Sequence, residues 1–400
     1  MAEASATAGT RTPALTRRDI LSLALLWLGG FDLRVTLLAV PPLIPAIHRD
    51  LGLDEKGVSI LTGLPVLLLA GAAIPGSLLI ARLGARRALV AGLLVLGLGG
   101  ALRGAGPALV PLFAMTLVMG AGVAVSQPAF PTLTRAWFPA RIAIATAVYS
   151  NGLLFGETLP ASLTGPLVVP ALGGSWPLAL AFWSTPAFAT AALLLALTAH
   201  DPARQRATTP RRWMPDFRDG RLWRLGLVMG FASAAYFGTN AFIPDFVRAT
   251  GHAGLKDAAL TSLNASQLIA SFGMLVLGDR LVARRLPFVA AGVLFAAAGV
   301  ALVLTPGPWT LLWAGVIGFA SALALVLTLA LPPLLAAERD VPRFSAGLFL
   351  IMYGFSFAGP VVGGAAWDAT GWPPAAFLTL AAGGAVMAAL AAGADLRRRA

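Results

Sequence analysis

The chain alternates between long apolar stretches and short polar turns. Twelve apolar stretches of roughly 20 residues or more follow one another along the 400 residues, and each is long enough to cross the ~30 Å hydrocarbon core of a bilayer. A segment in lipid must satisfy its own backbone hydrogen bonds, so each stretch is predicted to be an α-helix. We therefore expect an all-α, multi-pass membrane protein. The predicted spans are 19–47, 57–81, 87–105, 108–133, 143–166, 174–198, 223–247, 257–278, 286–305, 308–335, 344–366 and 372–394.

The basic residues mark one side of this array. Assigned to the nearest turn or terminus, 23 of the 29 Lys and Arg fall in the termini and the even-to-odd turns, and one, Arg34, lies deep inside a span. The five in the odd-to-even turns are Arg49, Lys56, Arg103, Arg248 and Lys256. The positive-inside rule then predicts that both termini lie in the cytoplasm. We call the side that carries the termini the basic face and the other side the opposite face.

Composition excludes several classes of function. Hydrophobic residues make up 58% of the chain and charged residues 12%, whereas soluble domains carry about 25% charge. The net charge of +12 sits at membrane edges, so anionic lipid rather than nucleic acid is the expected partner. The absence of cysteine excludes disulfides and thiolate chemistry. His48, His200 and His252 lie far apart in turns, so we expect neither a metal site nor a cofactor.

A polar linker divides the predicted spans into two groups of six. The linker is expected at 199–222, between an N-terminal bundle at 19–198 and a C-terminal bundle at 223–394. Residues 1–18 and 395–400 are expected to be cytoplasmic tails. The first tail has no apolar core, so no cleaved signal peptide is expected.

The two groups share short sequences at equivalent places. Arg82-Leu-Gly-Ala-Arg-Arg87 follows span two, and Arg280-Leu-Val-Ala-Arg-Arg285 follows span eight, with five of six positions identical. Pro131, Arg141 and Gly152 recur as Pro333, Arg343 and Gly354. This pattern indicates a duplicated six-helix unit, which is typical of transporters whose substrate site lies at the midplane between two halves.

The two basic turns resemble the signature of the major facilitator superfamily, Gly-x-x-x-Asp-Arg-x-Gly-x-Arg-Arg. The first copy has Ser77 and Ala81 where Gly and Asp are usual, and the second keeps Asp279 but has Val282 in place of Gly. The resemblance implies a twelve-helix major facilitator fold with a conformational latch between the halves. Its residues would be Arg82, Gly84, Arg86, Arg87, Asp279, Arg280, Arg284 and Arg285. The alternative is that these arginines only set topology.

The first half also resembles the cyanate/2-nitroimidazole transporter family within that superfamily. The matching segments are Asp32–Ile47, Thr62-Gly-Leu-Pro-Val66, Ala101-Leu-Arg103 and Gly120–Pro131. Asp32 stands where the family usually has Asn, Val35 where it has Pro, and Ala124 where it has Gly. The resemblance implies a transporter of small anionic or neutral nitrogenous solutes in the cytoplasmic (inner) membrane of a bacterium.

Three charged residues are predicted to lie deep within the spans. Asp32 and Arg34 lie roughly 20 and 23 Å along span one, and Glu157 lies about 21 Å along span five. Charges at this depth are costly and mark functional sites. Asp32 and Arg34 point in different directions, so Glu157 is expected to reach one of them. We interpret Arg34 as an anion-binding group and Asp32 and Glu157 as proton-coupling candidates. The alternative is a structural ion pair.

Polar residues elsewhere in the spans form a wider set of substrate-binding candidates. Their amide and hydroxyl groups are able to hydrogen-bond a solute, although interhelical hydrogen bonding is the alternative role for each. The set comprises Gln127, Tyr149, Asn151, Tyr236, Asn240, Asn264, Gln267 and Tyr353.

These observations predict a secondary active transporter of a small anionic or polar solute, working as a monomer by alternating access and coupled to protons. A multidrug or metabolite exporter is the main alternative, and a membrane receptor would need a signalling domain that the short loops do not supply. No phosphate-binding loop or His-Glu-x-x-His motif occurs, so an enzyme is not expected.

Overall fold

The fold is a bundle of twelve long helices, seen in a computed structural model that describes residues 15–52, 55–105, 108–198, 213–282 and 284–394. No strand occurs within these ranges. We number the membrane-crossing helices α1 to α12 along the chain. They are α1 Arg17–Leu38, α2 Glu55–Leu83, α3 Ala85–Leu102, α4 Leu109–Ser126, α5 Ile142–Leu163, α6 Trp176–Thr198, α7 Gly220–Ala249, α8 Lys256–Leu281, α9 Leu286–Leu304, α10 Trp309–Leu335, α11 Val341–Thr370 and α12 Pro374–Ala392.

The helices agree with the predicted multi-pass architecture. Within the described ranges, ten are long and apolar enough to cross a membrane, and α5 with its continuation makes an eleventh. The twelfth predicted span corresponds to α2, a helix of 29 residues. The predicted tail 395–400 and most of the predicted linker and first tail lie outside the described residues. Where the linker ends, α7 begins at Gly220, capped by Asp219 through the backbone N–H of Arg221.

Prolines shorten the first span. α1 begins with a reciprocal cap between Thr16 and Asp19 and ends at Leu38, whereas the sequence suggested one span from 19 to 47. Proline has no backbone N–H and so does not continue a helical ladder. The chain therefore turns at residues 39–40, forms a short 3-10 helix at Pro41–Leu43, and resumes as a separate helix at Ile44–Leu51.

Prolines also interrupt α4 and α5. α4 breaks before Pro128 and resumes as a helix at Ala129–Trp137. α5 contains Pro160 and continues into a π-helical turn at Thr164–Val168. The two parts of α5 are bent by 51° relative to each other. The bend tilts the end of α5 near the opposite face and leaves the straight part to pack on α1.

The packing of helices follows the duplication seen in the sequence. In the first half α1 packs on α5, α2 on α4, and α3 on α6. In the second half α7 packs on α11, α8 on α10, and α9 on α12. Each pair recurs six helices later, so the halves have the same internal arrangement. The halves meet through α2 against α11 and α5 against α8, and these two contacts are equivalent to each other.

An apolar cluster joins the halves on the side of the basic face. It combines first-half residues such as Leu26 and Leu133 with second-half residues such as Met229, Leu329 and Met352. A polar contact reinforces it, because Nη1 of Arg135 donates a hydrogen bond to the carbonyl oxygen of Pro333 at 2.6 Å. The bundle is therefore closed toward the basic face.

Two glycines allow α1 and α5 to touch along their backbones. A Cβ at Gly152 would collide with the carbonyl oxygen of Trp27, and a Cβ at Gly156 with that of Phe31. A Cβ at Gly156 would also lie 3.0 Å from the Cβ of Arg34. Small residues permit such close helix packing in membranes. This contact fixes the position of α1 where it carries its charged residues.

We predict that Gly156→Ala destabilises the protein, because overpacking costs about 1–3 kcal/mol and here the obstacle is a helix backbone. The measurement is the unfolding temperature of the detergent-purified protein. Gly273→Ala in α8 is the matched control, since a Cβ there meets nothing within 4 Å. An unfolding temperature of Gly156→Ala equal to that of Gly273→Ala would contradict the close α1–α5 contact.

Candidate functional site

A cavity of about 750 Å³ lies between the two halves and reaches the surface at the opposite face. Its mouth includes Asp257, whose side chain is 89% exposed. First-half walls come from α1, α2, α3 and α5, and second-half walls from α7 and α8. A volume of this size falls in the range of small-molecule sites. The polar lining residues are Arg34, Arg103, Glu157, Thr158, Ser162, Tyr236, Asn240, Asp257, Thr261 and Asn264.

An ion pair lies at the base of this cavity. Nε of Arg34 is 3.3 Å from Oε1 of Glu157, and the two side chains are only 8% and 12% exposed. The pair has few hydrogen bonds: Nε of Arg34 lacks hydrogen-bond geometry toward Glu157, and Oε2 of Glu157, which lies near the Tyr236 hydroxyl, makes no hydrogen bond of normal geometry with any described residue. Buried charges in such a setting are normally paired and fully hydrogen-bonded. The guanidinium and the carboxylate therefore both retain unused bonding capacity.

The second half holds the far side of Arg34. Nη2 of Arg34 donates to the hydroxyl oxygen of Tyr353 at 3.2 Å, and Nε2 of Gln127 donates to the same oxygen at 2.9 Å. Tyr353 belongs to α11 and is 1% exposed. The structure thus places Gln127 and Tyr353 beneath the ion pair rather than in the open cavity.

Below the pair, the space between the halves is almost filled. A pocket of about 30 Å³ remains next to Arg34 and Glu157, bounded by apolar side chains such as Met352 and by polar ones such as Ser233 and Ser321. This is room for a water molecule or two. The ion pair is therefore open toward the opposite face and closed toward the basic face.

Amide and phenol groups of α7 and α8 form the second-half wall. The Tyr236 hydroxyl donates to Oδ1 of Asn264 at 2.7 Å, and Nε2 of Gln267 approaches the same oxygen at 3.3 Å. Asn240 lies one helical turn after Tyr236 and donates to its carbonyl oxygen. Tyr236 and Gln267 also border the small pocket with Glu157. The structure thus brings four of the sequence candidates to one wall.

Two other candidates hold helices together instead. Tyr149 packs its ring on Phe130 with centroids 5.2 Å apart. Asn151 accepts a hydrogen bond from Nε1 of Trp27 at 2.9 Å and donates to Oγ of Ser271 at 3.2 Å, which links α1, α5 and α8. Neither residue lines the cavity, so the structure assigns both to helix packing.

Asp32 is separated from the cavity. Its side chain is fully buried and faces the side chain of Thr190 in α6. Two residues along a helix point in nearly opposite directions, so Arg34 faces the cavity while Asp32 faces into the first half. Of the two acidic candidates, only Glu157 lies at the cavity.

The sequence analysis missed Arg103 as a site residue. It was placed in a turn, because the apolar run ends there, yet its side chain is 1% exposed and lines the cavity. Nη2 of Arg103 donates to the carbonyl oxygen of Thr36 at 2.7 Å. The available signal was the Ala-Leu-Arg match at residues 101–103. Within the described ranges, no group of three or more His, Asp or Glu side chains is placed to hold a metal ion.

The latch candidates make contacts within each half. Nη2 of Arg86 donates to the carbonyl oxygens of Leu194 and Leu195 at the end of α6, and Nη1 of Arg285 donates to that of Ala392 at the end of α12. Each contact joins the basic turn to the end of the last helix of the same half, although Arg285 aligns with Arg87 rather than with Arg86. Arg82, Arg87, Arg280 and Arg284 are exposed at the basic face, and Gly84 turns the chain at φ +81°. The side chain of Asp279 lies outside the described residues.

Comparison with known proteins identifies the relatives of this architecture. The chain is 28% identical over 346 residues to the cyanate transport protein CynX of Escherichia coli (strain K12), covering 86% of this chain and 88% of that protein. It is 26% identical over 344 residues to the 2-nitroimidazole transporter of the same organism, covering 85% and 86%. These matches confirm the family resemblance seen in the sequence motifs.

The fold itself has solved counterparts. The crystal structure of the transporter FucP in the outward conformation superposes with a TM-score of 0.72 at 17% identity, covering 95% of this chain and all of that one. The sequence model of the Major Facilitator Superfamily matches residues 26–314 of this chain. The protein is thus a multi-pass membrane transporter rather than an enzyme, and it belongs to the major facilitator superfamily.

Proposed function

We propose that this protein is a monomeric secondary transporter that moves a small anion together with a proton by alternating access. The observation that supports this most directly is the sparsely hydrogen-bonded ion pair of Arg34 and Glu157 at the closed end of a cavity between the halves. Cyanate, the solute named for one relative, is the anion that we would test first.

Arg34 provides the means to recognise an anion. A guanidinium keeps its charge in any membrane environment and offers a planar set of donors that suits oxygen- and nitrogen-containing anions. In the structure Nη2 of Arg34 is engaged by Tyr353 and its Nε faces Glu157. A small anion that enters from the cavity has to compete with one carboxylate oxygen at 3.3 Å.

Competition between the anion and Glu157 for Arg34 couples the binding of the anion to the binding of a proton. A bound anion and a charged Glu157 about 4 Å apart would repel each other by roughly 4 kcal/mol at an effective dielectric of about 20. Protonation of Glu157 removes the repulsion, so anion and proton bind together. The groups that face Glu157 are Arg34 from α1, Tyr236 from α7 and Tyr353 from α11.

Charge balance also keeps the substrate site neutral while the transporter changes conformation. The empty site holds one guanidinium and one carboxylate, and the loaded site holds a guanidinium, an anion and a protonated acid. Both have zero net charge, whereas a guanidinium with a protonated acid and no anion would carry +1. An uncompensated charge is costly in the middle of a membrane, so the two neutral forms are the ones expected to change conformation.

The orientation of the transporter follows from its charge pattern. The face that carries both termini and most basic residues is proposed to be cytoplasmic, in the inner membrane of a bacterium. The cavity then opens to the outside, and the apolar cluster with the Arg135–Pro333 contact seals the inside. In this state the site loads from the external medium.

The drug-exporter alternative finds less support in the cavity. Among the described residues, Tyr236 and Phe237 alone contribute aromatic rings to its lining, whereas the charged pair occupies its base. A wall of this kind suits a small polar solute better than a range of large apolar ones.

Arg34→Ala is expected to reduce cyanate uptake by proteoliposomes on the order of 30-fold or more, since removing a buried hydrogen-bonded charge costs at least ~2 kcal/mol. Arg34→Lys should recover part of the activity, because it keeps the positive charge but loses the planar arrangement of donors of the guanidinium. Arg248→Ala, at an exposed position near the opposite face, is the control and should transport normally. Full activity in a correctly inserted Arg34→Ala protein would exclude the anion-binding role.

Glu157→Gln is expected to separate the anion from the proton. The amide mimics the protonated acid, so exchange of labelled for unlabelled cyanate should continue, while accumulation driven by a pH gradient should be lost. Asp32→Asn, away from the cavity, should keep accumulation if Glu157 carries the proton. The reverse result, with coupling lost only in Asp32→Asn, would move the proton site to α1.

Transport of a monovalent anion is expected to be electroneutral, because one proton accompanies each anion. A membrane potential imposed on proteoliposomes with K⁺ and valinomycin should leave the cyanate gradient at steady state unchanged. A steady-state gradient that follows the imposed potential would require a stoichiometry other than one to one.

A further inference from the structure

Arg103 is a buried cation without a buried counter-charge. Its side chain is 1% exposed, and within the described ranges no carboxylate lies within ion-pair distance of it. Among the described residues, its guanidinium hydrogen-bonds two backbone oxygens: Nη2 donates to that of Thr36 at 2.7 Å, and Nε to that of Gly100 at 3.5 Å. Nη1 has no hydrogen-bond partner among the described residues, although the side chain borders the large cavity.

The charges that line the cavity do not balance around this residue. Arg34 and Glu157 neutralise each other. Asp257 stands at the mouth, exposed to solvent, and pairs with Lys256 at 3.5 Å. Arg103 therefore carries the one lining charge that no described side chain compensates. Because a buried charge is stabilised by a counter-ion, the cavity favours a mobile anion next to Arg103.

The position of Arg103 places this anion before the ion pair on the way in. Arg103 is bonded to the carbonyl of Thr36, which lies two residues after Arg34 in α1. Two residues correspond to about 3 Å along a helix axis, and the direction is toward the opposite face, where the cavity opens. Arg103 and Arg34 line the same cavity, so an anion at Arg103 shares that space with Arg34 while Arg34 is still paired with Glu157.

We propose that Arg103 forms a second anion site, which holds a small monovalent anion in the outer part of the cavity before the anion reaches Arg34. The proposal rests on the proposed anion–proton transport for the identity of its ligand. It adds a capture step: the anion waits at Arg103 until Glu157 takes up a proton and releases Arg34.

The alternative for Arg103 is a purely structural tie between the end of α3 and the backbone of α1. Arg103→Gln separates the two roles, because its amide N–H₂ is still able to donate to the Thr36 carbonyl but carries no charge. Arg103→Lys keeps the charge and also keeps a donor. An anion site requires the charge, whereas a structural tie requires only the donor.

The experiment uses the full-length protein with Arg34→Gln and Glu157→Gln combined, which removes the inner ion pair. Thermal unfolding is followed by tryptophan fluorescence during titration with sodium cyanate at constant ionic strength, and repeated with nitrate. We expect saturable stabilisation by cyanate in this double variant. Adding Arg103→Gln should abolish it, adding Arg103→Lys should keep the Kd within about tenfold, and adding the exposed control Arg248→Gln should change nothing.

The outcomes distinguish this inference from the proposed function. The Arg103 site is overturned if the double variant shows no saturable stabilisation by either anion, or if Arg103→Gln leaves it intact. The proposed function survives both of those results, provided that the wild type binds cyanate through Arg34. If the Gln variant fails to fold as a monodisperse protein, Arg103→Lys decides, and loss of the anion response in that variant overturns the site.

Discussion

The structure depends on one electrostatic constraint: two opposite charges at the midplane of a membrane protein have to remain balanced. Arg34 and Glu157 meet this constraint in the empty site, with only one contact at 3.3 Å between them. In the proposed cycle, an anion that binds Arg34 disturbs the balance and a proton on Glu157 restores it. Under that proposal, substrate recognition and energy coupling are two aspects of the same pair of side chains.

Around this pair, an approximately symmetric scaffold carries an asymmetric site. The helix pairs of the first half recur in the second, but the charges at the cavity base belong to α1 and α5 alone. The second half contributes the phenol of Tyr353 beneath Arg34 and the amides of α7 and α8 on the facing wall. Because Arg34 bonds to Tyr353 across the interface, a movement of the halves would change the environment of the ion pair directly.

Much of the fold could be predicted from the sequence, because hydropathy and charge patterns follow directly from the order of the residues. Which side chains are buried depends instead on contacts between helices that are distant in sequence. The number of spans follows from the apolar stretches, and the shared depth of Arg34 and Glu157 follows from 1.5 Å of rise per residue. Depth does not reveal direction, so Asp32 was predicted at the right level without its separation from the cavity. Arg103 escaped notice because it follows an apolar run, and only the packing of α3 against α1 shows that it turns inward. Tyr149 and Asn151 were ambiguous because interhelical bonds and solute binding use the same groups.

The backbone contact of α1 with α5 at Gly152 and Gly156 has a consequence for how such a carrier evolves. The close backbone contact would hold the two charge-bearing helices together, so Arg34 and Glu157 would keep their spacing during the proposed alternating-access movement. The residues of α7 and α8 on the facing wall do not set the distance between Arg34 and Glu157. If the proposed anion transport holds, substitutions at Tyr236, Asn240 or Asn264 would change which solute shape is accepted, while the requirement for a negative charge would be conserved.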